Sequence, residues 1–141
     1  MIDFNYKKSN TVLQVKHTAL YKKAIAIYEL SRKLNQHNNL ITSSQETSPY
    51  PIDQLRLRED LTVVSIRLPY TIALAHTTTN YSLKLRSSKL VLQSIERLSL
   101  YCKELIARDA RDTDDVMALN KELRSFNRMY NSWRLILTQQ N

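Results

Sequence analysis

The last fifth of this chain carries an unbroken stripe of Val116, Leu119, Leu123, Phe126, Tyr130, Trp133 and Leu137. Its steps alternate three and four residues, a repeat of about 3.5, which is the seam of a helix packed nearly parallel or antiparallel to its neighbours. A second stripe in the same rhythm runs upstream through Leu85, Ser88, Leu92, Ile95, Ser99, Cys102 and Ile106. Two such seams separated by one short link predict a helical hairpin inside a bundle. The fold class expected is all-α, an antiparallel up-down four-helix bundle.

Composition supports this by exclusion. Among 141 residues there is no glycine, against an average near 7%. Turns that need positive φ must be scarce or given to Asn, and glycine-built phosphate loops cannot exist. The length suits one domain with a real core.

The expected organisation is a single domain over residues 1–141. It has an N-terminal arm at 1–9, helix 1 from Asn10 to Asn35, and a polar loop over 36–52 that holds Pro49 and Pro51. Helix 1 buries Leu13, Leu20, Ala24, Ile27 and Leu34, with Val12, Val15, Ala19 and Ile25 widening the stripe. Helix 2 runs from about Gln54 to His76 behind a cap at Asp53. Its seam is Leu57, Leu61, Val64, Leu68, Ile72 and Ala75. Pro69 removes one backbone bond, so a kink is expected near Ser65–Pro69. Thr77 to Asn80 make the turn, helix 3 follows to about Arg108, and helix 4 starts near Thr113 with Asp114 and Asp115 at its positive dipole end.

Few residues are placed for chemistry. His17, His37 and His76 lie far apart, and none has a second ligand at i+3 or i+4, so neither a metal site nor a cofactor is expected. Cys102 lies on a seam and reads as an inert buried thiol. The opening MIDFNYKKSN lacks the apolar run of a signal peptide, and no stretch is apolar enough to span a membrane. A reducing cytoplasm is the expected location. Arg32 and His37 form an R-x4-H spacing similar to the ribonuclease signature of HEPN bundles, with Lys33 where a small polar residue is usual. Tyr6, Tyr21, Tyr50, Tyr70 and Tyr81 lie off the seams, available either to stack on bases or to fill a subunit interface.

Charge is the more informative signal. The chain has 21 Lys and Arg against 13 Asp and Glu, net +8. The surplus is concentrated in residues 1–40 and 81–110, and a basic surplus on particular helices is the footprint of polyanion binding. On helix 3, Arg86, Lys89, Gln93 and Arg97 share one face, with Lys84 at its start. On helix 4, Lys121, Arg124 and Arg128 make another. Helix 1 adds Lys16 and Lys23 one heptad apart, with Lys22 beside them. These ten bases, all expected off the seams, are the candidate nucleic-acid-binding residues. Glu104 can mute Arg108, whereas Arg97 has no acid on its own row.

Asn80, Lys84 and Leu85 open helix 3 on a polar-then-basic phrase. A short acidic link and helix 4 follow, and the pattern closes on Met129-Tyr130-Asn131-Ser132-Trp133. From Asn80 to Trp133 this resembles the accessory variability determinant protein (Avd) of diversity-generating retroelements. That family belongs to a wider four-helix-bundle group which includes proteins encoded in ribosomal RNA intervening sequences. Leu68-Pro69-Tyr70-Thr71-Ile72-Ala73 is similar to the Ile-Pro-x-Asn-Ile-Ala phrase of the intervening-sequence relatives. They continue with Glu-Gly where this chain has Leu74-Ala75, a departure that favours the Avd branch.

The resemblance implies a non-enzymatic ring of five four-helix subunits. Such a ring would bind a reverse transcriptase and its template RNA or cDNA and support mutagenic copying of a template repeat. Lys84 is the only candidate base inside a matched phrase. The alternatives are the intervening-sequence group, whose role is obscure, and a HEPN-like ribonuclease using Arg32 and His37.

Overall fold

The computed structural model describes residue 15 and residues 18–44, 52–108 and 113–139. Among the described residues there is no strand, and four helices are bounded: α1 (Ala19–Ser44), α2 (Ile52–Thr77), α3 (Tyr81–Arg108) and α4 (Thr113–Gln139). Each packs on the next, and α1 closes the ring against α4. Lys23 pairs with Glu122 and Lys33 with Asp115. The numbers rise along α1 as they fall along α4, so these two helices run in opposite directions. His76 at the end of α2, Ser88 near the start of α3, and Tyr130 and Trp133 near the end of α4 meet at one end of the bundle. The chain therefore reverses at each link.

Helix starts follow local chemistry. Thr18 caps α1, its Oγ1 accepting the Tyr21 amide at 3.3 Å, which satisfies one of the free donors of the first turn. The break at Thr18 puts the start of α1 later than the expected Asn10. Leu13 and the arm at 1–9 lie outside the described residues. At its other end α1 continues to Ser44, so most of the loop expected over 36–52 is helix. Asn and Gln without Gly or Pro do not stop a helix whose earlier turns are already packed. Asn80 caps α3, its Oδ1 accepting the Leu83 amide at 3.2 Å. The link Thr78–Asn80 is where the polar β-branched run predicted it. α2 passes through Pro69 as one helix and begins at Ile52, one residue before the expected cap.

The core confirms the α4 seam, all seven members of which are buried. It also confirms Leu61, Val64, Leu68, Ile72 and Ala75 on α2, and Leu20, Ala24, Ile27 and Leu34 on α1. The α3 seam is corrected. Ser88, Ile95 and Cys102 face inward as expected. Their partners in the repeat are Lys84, Val91, Leu98 and Leu105, with Ser87 beside them. Leu85, Leu92 and Ser99 are only half-buried, and Ile106 is 38% exposed. Both sets repeat every seven residues, and they differ by a rotation of one position. The observed set gains Leu98 over Ser99 but takes Lys84 for Leu85 and Val91 for Leu92, so apolar content alone does not choose between them.

Small hydroxyl residues let the helices approach without leaving polar atoms bare. Ser31 Oγ donates to the Ile27 carbonyl at 2.9 Å, and Thr62 Oγ1 reaches the carbonyls of Arg58 and Ser31. Ser65 Oγ donates to Thr62 O and Ser88 Oγ to Leu85 O. Ser31, Ser65 and Ser88 are each satisfied by a carbonyl one turn back.

Candidate nucleic-acid interface

The rotation of α3 re-sorts its bases. Arg86, Lys89 and Arg97 are exposed, as is Gln93. Lys84 is not: only 9% of it remains accessible, and it stands on the seam itself. A lysine there packs its methylenes and sends its ammonium toward the bundle end, so the expectation that Lys84 is a surface contact is overturned. Arg97 donates to the Tyr101 hydroxyl at 3.3 Å, which fixes it across one turn of α3. Arg108 pairs with Glu104 at 3.9 Å, as their spacing predicted.

On α4, Lys121, Arg124 and Arg128 are all exposed. Two of the three acids of the same helix are turned toward α1, while the exposed Asp114 lies in the same surface depression as Lys121 and Arg124. Glu122 meets Lys23 of α1 at 2.8 Å, a close ion pair with no well-directed hydrogen bond, and Asp115 meets Lys33 at 3.4 Å. Lys23 is therefore part of an interhelical pair rather than a free contact. Lys22 is exposed, and Lys16 lies outside the described residues. The consequence is electrostatic asymmetry. α4 pairs two of its three acids with α1 and keeps Lys121, Arg124 and Arg128 on its exposed side, where Asp114 is the one acid of the helix beside them.

Between α3 and α4 runs an open groove of about 460 Å³. Lys103 and Arg124 stand on its two walls, with Asn120, Asn127, Ser99 and Glu96 between them and Leu92 and Ile95 at the floor. A second depression of about 510 Å³ shares Asn120 and Arg124 and continues past Lys121 and Asp114. Lys89, Glu96 and Lys103 recur every seventh residue, so Lys89 belongs to the same edge of α3. Lys103, Asn120 and Asn127 were missed by the sequence reading. The signal for Lys103 was this heptad spacing from Lys89, legible only once the seam is placed correctly.

The end of the bundle beside the α2–α3 link holds a polar aromatic cluster. Trp133 Nε1 donates to His76 Nε2 at 2.8 Å, with ring centres 5.9 Å apart. Tyr130 stands 5.8 Å from Trp133 and donates its hydroxyl to the Ser88 carbonyl at 2.7 Å. Accepting at Nε2 requires a neutral imidazole. Burial first, and the Lys84 charge second, hold the His76 pKa below its ordinary value. Burial likewise raises the Tyr130 phenol, and it pushes the Cys102 thiol up to about 12. Trp133 Nε1, His76 Nε2 and the Tyr130 hydroxyl are each occupied by a hydrogen bond inside the bundle, which marks them as packing groups.

Arg32 is exposed on α1, and His37 lies on the same helix with its side chain outside the described residues. Five residues of helix set them about 140° apart around the axis. Among the described residues no three His, Cys, Asp or Glu gather as a metal set, and no helix is long and apolar enough to cross a membrane. No family model matches the chain, and neither a curated protein nor a solved structure does.

Proposed function

We propose that this protein is a non-enzymatic nucleic-acid-binding accessory of a reverse transcriptase in a diversity-generating retroelement. In this role it holds template RNA or cDNA for mutagenic copying. One observation carries the nucleic-acid half. Asp115 and Glu122 of α4 pair with α1, so the exposed Lys121, Arg124 and Arg128 outnumber Asp114 on the outer side of α4, and Arg86, Lys89 and Arg97 are exposed on α3. A face of one sign raises the local concentration of a polyanion and steers its approach. The reverse-transcriptase half rests on the Avd resemblance from Asn80 to Trp133.

The same reading includes assembly. α2 exposes Val63, Ile66, Tyr70 and Leu74 along one face, more apolar surface than scattered solvent contacts explain. A homo-oligomer covers it, a pentamer by family resemblance.

The test is RNA affinity against salt for three proteins: wild type, an R86Q/K89Q/R97Q variant and a K121Q/R124Q/R128Q variant. Lys84 is left intact because it is packed. Each lost phosphate contact lowers the log–log salt slope by about 0.7 to 0.9. Equal affinity and slope in all three would remove both stripes and leave an acidic protein partner as the reason for the charge. Failure to co-purify with a reverse transcriptase encoded beside the gene would remove the retroelement role. RNA cleavage abolished by His37→Ala would favour the HEPN reading instead.

A further inference from the structure

We infer that the α3–α4 groove grips the sugar–phosphate backbone of double-helical RNA rather than unstacked bases; this rests on the RNA-binding reading above. The groove presents donors from both walls. Lys103 comes from α3 and Arg124 from α4, and the amides of Asn120 and Asn127 lie between them. With the adjoining depression the concavity follows α4 from Asp114 to Asn127. That is about 20 Å at the helical rise, long enough to meet several phosphates. Cations and amides suit phosphate oxygens and 2′-hydroxyls, the groups an A-form duplex shows along its wide, shallow minor groove.

What the groove lacks is equally specific. Among the described residues, no aromatic side chain lines either depression. The aromatics of α4 are all committed to the core: Phe126, Tyr130 and Trp133 are buried. The exposed Tyr70 lies on α2 and Tyr81 at the start of α3, away from the groove. Single-strand binding draws its sequence-tolerant affinity from bases stacked on exposed aromatic rings. This face has nothing for a base to stack on.

Glu96 gives the inference a sign. It is the one carboxylate between the two walls of the α3–α4 groove, with Asp114 at the far end of the adjoining depression; it is exposed, and no ion pair holds it among the described residues. A phosphate backbone in the groove is repelled by it. Removing that charge must therefore tighten binding, the opposite of what losing a contact does.

The experiment measures binding of a fluorescent RNA duplex of about 16 base pairs, a span a single double-strand-binding module covers, and of an unstructured polyuridylate of equal nucleotide length. Four proteins are compared at several salt concentrations: wild type, Glu96→Gln, K103Q/R124Q, and Arg32→Gln on the exposed face of α1. Thermal unfolding of each verifies the fold. The expected result is tighter duplex binding by wild type than polyuridylate binding, and tighter still by Glu96→Gln. The double groove variant loses about 1.4 to 1.8 in salt slope for two contacts, and the α1 variant is unchanged. Polyuridylate bound as tightly as duplex, or duplex binding indifferent to Glu96→Gln and K103Q/R124Q, overturns this inference and leaves RNA binding elsewhere intact. Failure of wild type to bind either RNA overturns the RNA-binding reading along with it.

Discussion

His76 shows how one side chain links the ends of three helices. Its Nε2 accepts from Trp133, and its pKa is lowered by burial and by Lys84. A depressed histidine is neutral in both folded and unfolded chains above the unfolded value. Below it, the unfolded chain binds the proton more readily, so stability falls with pH until the folded pKa is passed. Urea midpoints are thus expected to be level above about pH 6.5, the ordinary histidine value, and to decline below it. His76→Gln should lose part of that decline, and an unchanged pH profile would refute the linkage. Trp133, 8% exposed at the last turns of the α4 seam, is expected to cost about 3–5 kcal/mol on truncation to Ala. Native fluorescence that is red-shifted and freely quenched would contradict its burial. Cys102, fully buried and with its thiol pushed up to about 12, should ignore aromatic disulfide reagents until the protein is denatured. Labelling of the native protein at the denatured rate would show the thiol to be accessible.

At the scale of the element, α3 separates what periodicity reveals from what it leaves open. A seven-residue repeat specifies that a seam exists. When a helix carries apolar residues at two adjacent heptad positions, it does not specify which of them points inward. Leu92 and Leu98 make the distinction measurable. Leu98→Ala, at a site with no exposure, is expected to cost about 2–5 kcal/mol. Leu92→Ala, at a half-buried site on the floor of the groove, should cost clearly less. The reverse order in chemical denaturation would restore the other seam. The same rotation moves Lys84 from the surface to the seam and brings Lys103 to the groove.

At the scale of the whole molecule, the charge distribution is a product of pairing rather than of composition. Two ion pairs between α1 and α4 hold Asp115 and Glu122 on one side of α4, and Lys121, Arg124 and Arg128 are left on the other with Asp114. Both pairs keep contact with solvent, and such pairs add only about 0–1 kcal/mol, so their importance lies in where they leave net charge. The apolar face of α2 makes the remaining prediction at this scale. Light scattering at micromolar concentration is expected to give a multiple of the 16.5 kDa chain mass. A monomer would mean that this face is open to solvent.

Sequence alone determined the all-helical class, the α4 seam, most of the α2 seam, the α2–α3 link and the basic surplus of α3. Each rests on a local signal: a sustained 3.5-residue repeat, a polar β-branched run, or a count of charges. The missing glycines and the lack of ligand spacings likewise narrowed the chemistry without any coordinates. Tertiary structure alone decided the rotation of α3, the burial of Lys84, the length of α1 and the pairing of Lys23 and Lys33 with α4. These depend on which neighbour each helix meets. A helix has a face for every residue, and only packing chooses among them, because the burial free energy belongs to the contact between two surfaces and to neither helix by itself.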